Sequence, residues 1–211
     1  MTTRTNSSLV GLLIVLSLPI AFYAFAFQLG ETGDPQFQQR IASMPLFAGF
    51  HFIGAGIALL LGGFQFVSRI RNKAINVHRW LGRTYLLAVL FGGIGGFVLA
   101  GSADGGLVGR LGFATLAVTW LYSGWQAYAA VRRGDIATHR QWMMRNFALT
   151  FAAVTLRIHL NILTGPLEIS FAEAYASVAW ISWVPNLLIV EWFLLRRKMP
   201  LTNTNESARA L

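Results

Sequence analysis

The chain has 211 residues, of which 55% are hydrophobic and only 12% charged, and its formal net charge is +9. This composition is too apolar for an ordinary soluble domain and is typical of a helical membrane protein. Because the chain has no cysteine, disulfides, thiolate metal sites and cysteine nucleophiles are excluded. The basic residues form short clusters between apolar runs, a pattern that indicates membrane topology and argues against a nucleic-acid partner.

Six apolar runs are long enough to cross a bilayer, since roughly 20 apolar residues suffice. They predict spans at 9–27, 46–67, 80–100, 110–131, 139–163 and 174–195. The first run also resembles a signal peptide, but its length and the weak charge before it favour an uncleaved span. We therefore predict an all-α bundle of six transmembrane helices in one membrane domain, followed by a disordered polar tail over 199–211.

The loop charges predict the orientation of this bundle. With the N-terminus in the cytoplasm, fourteen of the seventeen lysines and arginines lie on the inner side. The positive-inside rule then places both termini in the cytoplasm. We expect a multi-pass protein of the bacterial inner membrane, with the lipid bilayer as its surroundings and no nucleic acid as a partner.

The fifth span carries an unusual set of ionisable residues. A capping-box pattern at Thr138 predicts where its helix begins, and the helix is expected to run unbroken to Leu163. Arg145 lies one turn inside the span, and Arg157 and His159 lie near its far end. Ionisable residues at membrane depth are costly and mark functional sites by default. Arg145 is expected to pair with Glu191 of the sixth span as a structural contact.

Small residues predict where helices approach closely. Gly92 and Gly96 form a small-xxx-small pair in the third span, so we expect both to face a neighbouring helix.

Three motifs resemble a prokaryotic family of predicted membrane proteins that is labelled a domain of unknown function. The first is the spacing of His51 and Gln65, with GGFQF around the glutamine. The others are HRWLGRTY at 78–85 and HRQWMMRNFALTFAAVTLR at 139–157. The resemblance implies a multi-span membrane protein and no established activity, so the chemistry must be argued from the residues.

The four histidines fall at two predicted depths. His51 and His159 lie roughly 6–8 Å inside the outer face, at 1.5 Å per residue. His78 and His139 lie in the first turns of helices that start at the inner face. Bis-histidine b-type haem needs imidazoles from different spans at equal depth. The plan of six spans with paired inner and outer histidines also resembles cytochrome b561-type diheme proteins. We therefore predict His51 and His159 as haem ligands, with His78 and His139 as a second candidate pair.

Other polar residues accompany these histidines. Gln65 shares the helix face of His51, and Arg145 shares that of His159. Arg157 would reach haem propionates only by curling toward the interface. Arg79 follows His78, and Arg140 follows His139. This arrangement suits the binding of lipid phosphates as well as it suits a second haem.

Two classes of function follow from these residues. One is electron transfer by haem b, in partnership with a quinone or another anionic membrane ligand. The other is a non-redox carrier, lipid- or anion-binding module or assembly partner, in which the histidines make interhelical hydrogen bonds and the arginines hold an anion. No hydrolase, kinase or nucleotide-binding motif is present. A reduced-minus-oxidised spectrum distinguishes the two classes.

Overall fold

The computed structural model of the chain describes residues 7–32 and 35–198, and these residues form helices and no β-strand. The predicted all-α fold is confirmed, whereas the predicted tail at 199–211 lies outside the described residues. The helices are α1 (Ser7–Gln28), α2 (Pro35–Ala42), α3 (Pro45–Gly62) with a 3-10 turn at Gly63–Phe66, α4 (Ser68–Lys73), α5 (Ile75–Ala100), α6 (Gly106–Arg132), α7 (Ile136–Thr150), α8 (Ala152–Thr164), α9 (Phe171–Ile181) and α10 (Val184–Lys198).

Five segments of the described chain are long and apolar enough to cross a membrane. They agree with five of the six predicted spans. The remaining predicted span, 110–131, forms α6. Its 27 residues are long enough to cross a membrane, but they are less apolar than those of the five segments. The five segments are Ser7–Gln28, Pro45–Phe66, Ile75–Ala100, Ile136–Thr164 and Phe171–Arg196.

Among the described residues, the most extensive helix contact is between α3 and α5, and it depends on glycine. A Cβ atom on Gly54 would lie 2.7 Å from the backbone nitrogen of Gly92, and one on Gly92 would lie 3.1 Å from the nitrogen of Ala55. A Cβ atom on Gly96 would lie 2.8 Å from Nδ1 of His51. The prediction that Gly92 and Gly96 face a neighbouring helix is therefore confirmed.

The fifth predicted span is not one continuous helix, because it is interrupted at Phe151 between α7 and α8. The N–H of Val154 donates to the carbonyl of Phe151 in a tighter turn. The hydroxyl of Thr150 donates to the carbonyl of Asn146, a side-chain bond of a kind that often bends helices.

The sixth predicted span is also interrupted, between α9 and α10. Pro185 has no N–H to donate to the carbonyl four residues earlier, so the helical ladder is broken there. The nearby carbonyl of Ser182 accepts from the hydroxyl of Thr155 at 2.5 Å and from the amide of Asn186 at 2.9 Å. These bonds satisfy a backbone group that lipid could not.

The predicted helix start at Thr138 is wrong, because α7 begins at Ile136 with Asp135 as its N-cap. The Asp135 carboxylate accepts from the backbone N–H of Thr138 at 3.0 Å. Hydrogen bonds from Thr138 hold the pKa of Asp135 below its usual value. Gly134, with φ of +79°, reverses the chain just before the cap.

A buried polar network joins α5, α6 and α7. The hydroxyl of Tyr85 donates to Oδ1 of Asn146 at 2.6 Å and lies 2.8 Å from the hydroxyl of Thr150. The indole of Trp120 donates to the same Thr150 hydroxyl, and the Asn146 amide donates to Ser123. Sequence reasoning missed this network, although polar residues at 146 and 150 within a span were a signal for it.

Candidate functional site

One end of the bundle brings together basic side chains from three helices. His78 of α5 interacts electrostatically with Arg71 of α4, with Arg79 beside it, and with His139 and Arg140 of α7. We call these five residues the basic cluster. The structure therefore places four of the predicted site residues together, and it adds Arg71, which sequence reasoning had counted only as a loop charge.

Three buried nitrogen atoms at this end have no hydrogen-bond partner among the described residues. They are Nε2 of Gln65, Nε of Arg71 and Nδ1 of His78. Gln65 is 5% exposed, and its amide oxygen would lie 3.2 Å from a Cβ atom on Gly82, one helical turn from His78. Because an unsatisfied buried polar group costs about 1–3 kcal/mol, each of these nitrogen atoms would be stabilised by a hydrogen-bond partner.

The charge of the basic cluster is uncompensated by carboxylates. Within the described residues, the salt bridges join Arg40 to Asp104 and Arg145 to Glu191, and neither involves the cluster. Burial, and then the charge of Arg140, lower the pKa of Arg71. A guanidinium nonetheless stays protonated in proteins, so the cluster keeps its positive charge and favours an anion.

His139 is held differently from His78. Its Nδ1 lies 2.8 Å from the carbonyl oxygen of Ala127, and because a carbonyl only accepts, the ring donates there. This bond ties the start of α7 to α6.

The predicted pairing of Arg145 with Glu191 is confirmed. Nε and Nη2 of Arg145 donate to the two carboxylate oxygens at 2.5 and 2.9 Å. The guanidinium also lies 4.7 Å from the ring centroid of Trp142. The pair links α7 to α10 and accounts for Arg145 inside a span.

At the opposite end, His51 is fixed by a backbone carbonyl. Its Nδ1 donates to the carbonyl of Gly92 at 3.0 Å, and its ring packs edge-on against Phe52. The other ring nitrogen, Nε2, is therefore left as an acceptor or a ligand atom. The positive charge of Arg157 on α8 contributes to the electrostatic environment of His51.

His159 has a buried Nδ1 without a hydrogen-bond partner among the described residues. Its helix α8 packs mainly on α9 and α1, whereas α3, which carries His51, packs mainly on α5 and α1. The described residues contain no group of three or more His, Asp or Glu side chains able to hold a metal ion. The pairing of His51 and His159 through a haem iron stays a prediction.

Arg157 is a charged residue inside a segment that is long and apolar enough to cross a membrane. One of its terminal N–H groups donates to the carbonyl of Ala153 at 2.8 Å, and its guanidinium lies 4.8 Å from the ring centroid of Tyr23. No carboxylate of the described chain forms a salt bridge with it.

The fold and these two polar regions define a multi-pass helical membrane protein with a basic cluster at one end. The family described as "Predicted membrane protein (DUF2306)" matches residues 48–194, which run from α3 into α10. Since this is more than half of the chain, the chain belongs to that family. No curated protein and no solved structure matches it. The likeness to cytochrome b561-type proteins therefore gains no support from the comparisons.

Proposed function

We propose that this chain is a six-span protein of the bacterial inner membrane whose basic cluster faces the cytoplasm and binds a phosphate-bearing anion. The sixth span would be α6, whose 27 residues extend about 40 Å. It packs between α5 and α7 and exposes apolar side chains such as Val118 and Trp125. With six spans, the basic cluster lies on the side that the positive-inside rule assigns to the cytoplasm.

The observation that carries the binding proposal is the set of unpaired buried nitrogens on Gln65, Arg71 and His78. The first two are obligatory N–H donors, and they lie among cations with no carboxylate in salt-bridge contact. A phosphate group supplies both negative charge and several acceptor oxygens. Helix starts at the cytoplasmic face of a membrane are also where lipid phosphates lie.

The same phosphate chemistry comes from an anionic lipid headgroup or from a free phosphate, and one experiment separates them. The full-length protein is placed in nanodiscs of phosphatidylcholine, with added phosphatidylglycerol in one arm and added inorganic phosphate in the other. We expect thermal unfolding to shift upward in one arm, because a ligand bound by the folded state stabilises it.

Variants assign this shift to the site. Arg71→Gln should lose most of it, whereas Arg132→Gln, an exposed arginine stacked on Tyr128, should keep it. The proposal fails if neither anion shifts unfolding, or if Arg71→Gln responds as fully as the unchanged protein.

A second candidate function is electron transfer by haem b on His51 and His159, with a quinone as partner. It is favoured by the bond from His51 to the Gly92 carbonyl, because histidines that ligate metals usually donate their other N–H to such a group. The test is a reduced-minus-oxidised spectrum of protein purified from haem-replete cells. His51→Ala and His159→Ala should abolish the signal and His78→Ala should keep it, while a colourless protein would refute the idea.

A further inference from the structure

A groove of about 490 Å³ runs along the surface of the bundle between α3 and α5. It extends from Pro45 to Ile57 on α3 and from Thr84 to Phe91 on α5. The side chains that line it are apolar apart from the hydroxyl of Thr84. Leu87 and Phe91 in its wall are exposed, so in a membrane the groove is open to lipid.

A smaller cavity of about 170 Å³ lies beside the start of this groove, and Pro45 lines both. Its apolar lining includes the buried residues Phe27 and Ile41. Its polar lining consists of Gln28 at the end of α1 and Gln38 of α2. No acidic or basic side chain is among the described residues that line it.

The amide of Gln28 joins the two spaces. Its Nε2 lies 3.9 Å from the position of a Cβ atom on Gly49, and no other described atom lies within 4 Å of that position. Gly49 itself lines the groove, and Gln28 lines the smaller cavity. An apolar space and a polar space are therefore continuous at the α2 end of the bundle.

The two glutamines have hydrogen-bonding capacity to spare. Nε2 of Gln38 donates to the carbonyls of Phe27 at 3.0 Å and Thr32 at 2.8 Å, which uses both of its N–H groups and leaves Oε1 as an acceptor. The amide of Gln28 makes no hydrogen bond to another described residue. A neutral group that both donates and accepts, such as a hydroxyl, matches these amides without placing a charge among them.

The volumes give the size of a matching ligand. At about 30 Å³ for each water-sized group, the groove has room for about 16 methylene groups and the smaller cavity for about five or six heavy atoms. The groove extends about 18 Å along α3. This length is close to the ~15 Å that the acyl chains of one leaflet occupy in a bilayer.

We propose that the groove and the adjoining cavity bind one molecule of a neutral lipid with a single acyl chain and a small hydroxyl-bearing head, of the monoacylglycerol class. The chain lies between α3 and α5, and the glycerol hydroxyls bond the amides of Gln28 and Gln38. Because the acyl chains of the bilayer are as apolar as the groove, the head group decides which lipid is retained. The site is separate from the basic cluster, since Pro45 and Gln65 lie at least about 30 Å apart along α3 and the turn that follows it.

The probe is 1-palmitoylglycerol. The full-length protein is placed in phosphatidylcholine nanodiscs that contain the probe, and native mass spectrometry measures the fraction of protein that retains one molecule. Palmitate and palmitoyl-lysophosphatidylcholine, at the same mole fraction, carry the same chain with a charged head. We expect both to be retained at least about threefold more weakly, because neither head matches two neutral amides in a small cavity.

Variants assign the bound lipid to this site. Gly49→Leu fills the groove and should abolish retention of the probe, whereas Gly11→Leu, at an exposed position of α1 with nothing within 4 Å, should keep it. Gln28→Leu removes the unpaired amide and should weaken retention about threefold to tenfold. Gln39→Leu is its matched control, since Gln39 is exposed and does not line the cavity.

Gln28→Leu tests the site even if Gly49→Leu fails to fold. The proposal is overturned if no 1:1 complex with the probe is retained, or if palmitate or the lysolipid is retained equally well. It is also overturned if Gln28→Leu retains the probe as fully as Gln39→Leu. A dimer of the protein without bound probe would show that the groove is an interface between copies instead.

Discussion

At the scale of single residues, Arg145 and Arg157 of the fifth predicted span behave differently. Arg145 is 17% exposed and donates twice to the carboxylate of Glu191. Arg157 instead lies over an aromatic ring and bonds a carbonyl of its own helix. The first arrangement is complete without a ligand, whereas the second has unused donors. The same residue type in the same span therefore forms an ion pair at one depth and, among the described residues, has no carboxylate partner at the other.

The ion pair leads to a prediction about stability. Glu191→Gln should lower the free energy of unfolding by about 1–2 kcal/mol, because it leaves Arg145 poorly compensated. The loss is moderated by the 37% exposure of Glu191. Denaturant unfolding in mild detergent measures it.

A double variant serves as the control for this prediction. Arg145→Gln combined with Glu191→Gln should cost less than the two single changes added together, because neither charge is then left alone. Strictly additive losses would show that the pair contributes nothing as a pair.

At the scale of helices, different contacts hold the bundle in different places. Backbone contact at Gly54 and Gly92 joins α3 to α5 without large side chains between them. Hydrogen bonds centred on Asn146 join α7 to α5 and α6. In lipid the hydrophobic effect does little to bring helices together, so close packing and such bonds decide which helices are neighbours.

Gly54→Ala should destabilise the protein by about 1–3 kcal/mol, because the added methyl overpacks the helix contact. Its Cβ would lie 2.7–2.8 Å from backbone atoms of Gly92 and Ala88, which cannot rotate away. Thermal unfolding in detergent gives the measurement. Gly11→Ala in α1 is the matched control, since nothing lies within 4 Å of that added atom. Equal tolerance at both positions would contradict the tight α3–α5 contact.

At the scale of the whole molecule, the role of α6 decides the topology. If α6 crosses the membrane, six spans leave both termini on the same side; if it does not, five spans leave them on opposite sides. The helix is 27 residues long and its exposed surface is rich in Leu, Val, Trp and Tyr. These features suit a lipid-facing span.

Reporter fusions test this topology. A reporter that is active only in the cytoplasm should work when fused after Leu211 and when placed at Gly134, between α6 and α7. The same reporter placed at Ala103, between α5 and α6, should be silent. Activity at Ala103, or silence after Leu211, would contradict six spans with both termini inside.

The sequence by itself determined the class of the protein. Apolar runs and the small residues within them are local properties, so the helical segments and the close face at Gly92 and Gly96 could be predicted. The pairing of Arg145 with Glu191 followed too, because both lay at equal predicted depth in adjacent segments. The motifs beginning at His78 and His139 indicated the family.

Only the tertiary structure decided the rest. The helix break at Phe151 falls within a run that predicts one continuous helix. In the sequence, Arg71 is one of several loop charges. In the structure, α4 packs on α5 and Arg71 joins the cluster around His78. Tyr23 and Arg157 are separated by 134 positions, and the guanidinium lies 4.8 Å from the tyrosine ring centroid only because α1 and α8 are neighbours. Such groupings depend on which helices are neighbours, and helix adjacency is set by packing between distant segments, which no local pattern encodes.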